Sequence, residues 1–67
     1  MTVRKAAKGS YSRYNQKYNI GFINSDGMDD ETQFESVKTL KELSDLFQDF
    51  CKENGFKTNT VTYVEAV

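Results

Sequence analysis

The sequence predicts a small α+β domain of β-β-α-β order. It would be a three-stranded, mainly antiparallel sheet with one amphipathic helix packed on one face. Three observations predict it. Residues 39–55 hold a capped apolar pattern of helical period, and β-branched and aromatic stretches lie on both sides of it. The whole chain is 67 residues, 37% hydrophobic and 28% charged, which fits one domain rather than a disordered chain.

Residues 1–9 show no periodicity, are basic and end at Gly9, so they read as a flexible basic arm before a single domain over 10–67. From Tyr14 to Phe22 the even positions include Tyr14, Tyr18, Ile20 and Phe22, the period of a strand. Tyr11, Tyr14 and Tyr18 are also spaced i, i+3, i+7 behind Ser10, so a short helix there is the alternative. Asn24-Ser25-Asp26-Gly27 supplies turn chemistry, because Asn, Asp and Gly tolerate positive φ. Asp29-Asp30-Glu31 is acidic for a core strand, which places a loop at 25–31 and the second strand at 32–38. A tight Asp26-Gly27 hairpin with a longer second strand is the alternative.

The helix is the best-marked element. Thr39 is a good N-cap, and Glu42 three residues later fits a capping box. Leu40, Leu43, Leu46, Phe47, Phe50 and Cys51 then fall within an arc of about 140° at 100° per residue. Gly55 suits the left-handed position just past the end. Thr58 to Val64 favours a third strand. A right-handed crossover puts that strand parallel to the second if they are neighbours; otherwise it pairs with the first.

Composition narrows the function. There is no histidine and one cysteine, which removes the commonest general base, the Cys–His and Ser–His pairs, internal disulfides and cysteine-rich zinc sites. Catalysis is not expected, and no cofactor or metal is. The loop from Asp26 to Glu31 resembles a calcium loop in composition only, since its spacing is wrong. The glycines are isolated, with no phosphate loop. Neither a signal peptide nor a membrane span is expected, and one cysteine suits a cytoplasmic location.

Charge is unevenly placed. Residues 1–24 carry five cations and no acid, whereas residues 25–67 carry four lysines against ten acids. Two candidate surfaces follow. Glu42, Asp45, Asp49 and Glu53 form a carboxylate stripe about 16 Å long opposite the apolar arc, suited to a basic protein partner. Arg4, Lys5, Lys8, Arg13 and Lys17 with Tyr11, Tyr14 and Tyr18 form a basic, aromatic segment suited to unpaired nucleic acid. A third strand without lysine or proline is a possible pairing edge. Alternation puts Val61 and Tyr63 on one side and Thr62 and Val64 on the other, so a homodimer would bury whichever side the helix leaves bare.

Size, the lack of catalytic groups and this element order resemble those of small accessory proteins of bacteria and their phages, a resemblance that assigns no residue a role. The expected function is a non-catalytic intracellular accessory protein, an inhibitor or adaptor, acting by protein–protein contact through the acidic helix face or a sheet edge. The alternative is a nucleic-acid-binding accessory protein using the Arg4–Tyr18 segment.

Overall fold

A computed structural model describes residues 1–67 and shows five elements in order. They are α1 (Val3–Ala6), β1 (Tyr18–Ile23), β2 (Asp29–Phe34), α2 (Leu40–Asn54) and β3 (Val61–Ala66). The sheet order is β2-β1-β3, and both pairings are antiparallel. The fold is therefore the expected α+β domain, with the third strand on the first. β1, Tyr-Asn-Ile-Gly-Phe-Ile, is the most apolar strand and takes the centre. β2 is Asp-Asp-Glu-Thr-Gln-Phe and takes an edge, where its carboxylates stay in water. No helix is long and apolar enough to cross a membrane.

α2 has the bounds its caps dictate. Thr39 Oγ1 accepts from Glu42 N–H at 3.0 Å. Gly55 stands at φ 72°, and its N–H returns to the Cys51 carbonyl. Leu43, Phe47 and Cys51 are fully buried against Tyr18, Ile20, Phe22, Val61 and Val64 of the sheet.

The hairpin is tighter than a loop over 25–31, though its turn is longer than Asp26-Gly27 alone. β2 ends at Phe34, so Val37 lies outside the strand, and it begins at Asp29 rather than 32. Asn24 explains the shift. Its Oδ1 accepts from the Asp26 and Met28 amides, and its own N–H donates to the Met28 carbonyl, closing the turn at once. Gly27 supplies the positive φ, 76°. Acidic residues then form a strand because an edge strand does not bury them.

The N-terminal segment departs most from its expected arm. Residues 3–6 form a single helical turn, capped by the Thr2 side chain, and Val3 and Ala7 are buried in the core. The backbone of Met1 continues the β3 edge: Val61 N–H donates to the Met1 carbonyl, and the Met1 ammonium donates to the Asn59 and Val61 carbonyls. α1 packs against both α2 and β3. Two apolar side chains four residues apart suffice to dock one turn. No helix forms over residues 10–17, which make turns, and the strand expected from Tyr14 begins only at Tyr18.

β3 also departs from strict alternation. Gly21 pairs with Tyr63 and Phe22 with Val61, so Thr62 is an extra residue, a bulge. The bulge puts Val61 and Val64 together on the helix side and Tyr63 on the opposite face. That corrects the assignment by period two and removes the valines from the bare face. The homodimer expected from exposed apolar residues loses its physical ground there.

Tyr18 is fully buried, and its hydroxyl organises the preceding loop. It donates toward the Ser12 carbonyl at 2.7 Å and accepts from Ser12 N–H at 3.1 Å. Tyr18→Phe leaves the Ser12 N–H without its partner, while the Ser12 carbonyl keeps the Asn15 N–H at 3.0 Å. The expected loss is about 1–2 kcal/mol, read as a lower urea midpoint with an unchanged slope.

Candidate functional site

The four stripe residues of α2 lie where the helical period puts them, away from the sheet. Asp45, Asp49 and Glu53 are exposed and Glu42 is half-buried. Lys41 Nζ bonds Asp45 at 2.8 Å. The other ion pair in the chain is Lys17 with Glu35 at 3.5 Å, so eight of the ten carboxylates have no cationic partner within 4 Å. Asp49 and Glu53 are among them, on an element capped at both ends.

The basic segment is not assembled as a platform. Arg4, Lys5, Lys8 and Arg13 are exposed, and Lys17 is engaged with Glu35. Tyr18 belongs to the core, contrary to its expected binding role, and Tyr11 stacks on it at 5.7 Å. Only Tyr14 offers a free ring, 81% exposed, with the Arg13 guanidinium 5.1 Å from its centroid. Of three tyrosines spaced for stacking on bases, two are spent on the fold.

Both sheet edges carry local blocks. Met1 occupies β3 at Val61, and Asp30 Oδ1 accepts from the Glu31 N–H on β2 at 2.8 Å. Strand addition would have to displace these contacts and, on β2, face Asp29, Asp30 and Glu31.

The bare sheet face holds a cluster that sequence spacing did not reveal. Tyr63 lies flat over Gly21, where a Cβ would fall 2.0 Å from the ring. Its hydroxyl donates to the Glu31 carboxylate. This bond, then partial desolvation and the nearby charges of Glu31, Glu65 and Asp29, push the phenol up to about 12. Neutral Tyr63 is thus favoured by folding. Its contribution is present below the ordinary value near 10 and is lost as pH rises toward 12. Phenolate absorbance should show Tyr63 titrating above the ordinary value near 10. Glu31→Gln should bring it back toward 10, and Gly21→Ala should do the same by moving the ring.

A cleft of about 390 Å³ opens where the hairpin turn meets the end of α2, lined by Ile23, Asn24, Ser25, Phe56, Lys57 and Thr60 among others. Its walls bring no acid–base pair together. Cys51 is wholly buried, its Sγ 3.8 Å from the Lys57 carbonyl, and burial pushes the thiol up. It packs as a small hydrophobe.

No family model matches the chain, and neither the curated proteins nor the solved structures offer a match.

Proposed function

We propose that this chain is a non-catalytic binding protein that holds a basic surface of a protein partner against the outer side of α2. One observation carries the reading: carboxylates at Glu42, Asp45, Asp49 and Glu53 share one rigid helix face, and only Asp45 is ion-paired. Asp45–Asp49 and Asp49–Glu53 are like-charged i, i+4 pairs, each costing about 0.2–0.5 kcal/mol in an isolated helix. A partner's lysines or arginines relieve that repulsion. The role is that of an inhibitor or adaptor of the kind small bacterial and phage proteins fill, and a single free, buried cysteine supports a cytoplasmic setting. The blocked edges favour the helix face over strand pairing.

The test is a double variant, Asp45→Lys with Asp49→Lys. An exposed ion pair contributes little, so circular dichroism and thermal midpoint should stay close to wild type. The partner retained by immobilised wild type from a cell extract, and displaced by added salt, should no longer be retained. Undiminished retention would contradict the reading. Nucleic-acid binding through Arg4, Lys5, Lys8, Arg13 and Tyr14 is the alternative, and a gel shift at low salt that vanishes in Arg13→Ala, Tyr14→Ala would favour it instead.

A further inference from the structure

The helix side of the sheet is unevenly covered. Under α2, Val61 and Val64 of β3 are 2% and 3% exposed, and Tyr18, Ile20 and Phe22 of β1 are 0%, 0% and 1%. Directly opposite residues of an antiparallel pair share a face, so Asp30, Thr32 and Phe34 of β2 also lie on this side. There the cover fails: Phe34 and Thr32 are half-buried and Asp30 is exposed. The α2 residues on that flank behave alike, for Leu46 and Phe50 are half-buried while Leu43 and Phe47 are sealed. Phe50 meets Phe34 edge-on at 6.1 Å between centroids, which joins helix and strand into one apolar floor.

The cause is the one-sided placement of α1. On the β3 flank it lays Val3 and Ala7 into the core beside α2, and Ser44 on α2 is buried as well. The β2 flank receives no such element. The charges that rim it from α2 and β2 are acidic, and the Lys17–Glu35 pair at its Phe34 end is neutral overall. Asp49 and Glu53 rim the floor from α2, at about 60° from Leu46 and Phe50 respectively, and Asp30 rims it from β2. β2 contains no lysine or arginine, and Lys41 and Lys52 of α2 project about 120–140° away from Leu46, toward the other flank.

We infer that this shelf between α2 and β2 seats a basic amphipathic helix supplied by a protein partner. Its apolar side rests on Leu46, Phe50 and Phe34, and its lysines or arginines meet Asp30, Asp49 and Glu53. The inference rests on the reading of α2 as the partner-binding element and specifies how that partner sits. The segment from Val3 to Lys8 shows the form of a suitable occupant, with buried Val3 and Ala7 four apart and Arg4, Lys5 and Lys8 exposed. A helix laid in a groove by its apolar stripe is a common mode of recognition.

The experiment titrates the isotope-labelled full chain with a synthetic amphipathic leucine–lysine peptide, with an oligolysine of equal charge and a leucine–glutamate peptide as controls. The leucine–lysine peptide should bind at least about tenfold tighter than oligolysine, since it alone buries apolar surface. Amide shifts should centre on Asp30, Phe34, Leu46 and Phe50. Leu46→Gln, at a half-exposed position, should keep the fold and weaken that peptide while leaving oligolysine unchanged. Equal affinities with shifts confined to Asp45, Asp49 and Glu53 would overturn the shelf and leave the acidic face standing. No binding of either cationic peptide would overturn both. Concentration-dependent shifts at the shelf without peptide would assign it to a second copy and overturn the inference.

Discussion

Phe47→Ala is expected to abolish cooperative folding or bring it close to that point. Phe47 is fully buried and packs against Phe22 at 5.7 Å and Phe50 at 6.1 Å between ring centroids. Emptying such a site costs about 3–5 kcal/mol, the lost transfer energy plus the cavity left behind. A chain of this size has roughly 3–10 kcal/mol in total. Neither a disulfide nor a second core exists to make up the difference. Thermal unfolding by circular dichroism should show a midpoint far below wild type, or no transition. Gln48→Ala, one residue along on an exposed position, should stay within about 0.5 kcal/mol of wild type. Similar effects at the two positions would mean that α2 does not face the sheet as described.

Val3→Asp is the second large effect, and it separates a packed N-terminus from a free arm. A free arm would tolerate a carboxylate without change. Val3 is 3% exposed, so the substitution removes about 1.5–3 kcal/mol of apolar burial and adds the cost of desolvating a charge. The expected loss is about 3 kcal/mol, limited by the ease with which α1 undocks. Undocking also breaks the bond from Val61 N–H to the Met1 carbonyl, so the Val61 amide should lose protection. The introduced carboxyl would have its folded pKa raised by burial, so part of the loss should return as pH falls and the group becomes neutral.

What could be seen in the sequence was what local chemistry decides. Thr39, the apolar spacing and Gly55 define α2 without help from the rest of the chain, and its bounds needed no correction. The reciprocal half of the capping box does not form, since only the Thr39 oxygen bonds. Turn residues showed that a hairpin exists, but its register depends on Asn24 closing it early, and acidity disguised β2 as a loop. Placing α1 was out of reach. Four residues have no readable period, and what holds Val3 and Ala7 is the flank of α2 and β3, which appears only once the sheet is assembled.

The candidate surfaces divided along the same line. Carboxylates on a capped helix stay on its outer face in any packing, so Glu42, Asp45, Asp49 and Glu53 could be placed in advance. The tyrosines could not. Tyr11, Tyr14 and Tyr18 have the same chemistry in sequence, and only the loop bonds to Ser12 and the stack of Tyr11 on Tyr18 show which two are structural. The bulge at Thr62 likewise separated Val61 from Tyr63 and left Tyr63 on the bare face beside Glu31 without it, which no alternation rule anticipates. The shelf beside β2 depends on where α1 does and does not pack, so it could emerge only from the assembled fold.

The shelf depends on this lopsided arrangement, with α1 sealing one side of α2 and leaving the other open. Amide hydrogen exchange on the full chain tests it most directly. The Ala7 and Val61 amides, each bonded across the α1 junction or within it, should exchange slowly alongside β1 and the middle of α2. Exchange at free-chain rates through residues 1–9 and at Val61, with β1 and α2 still protected, would contradict it.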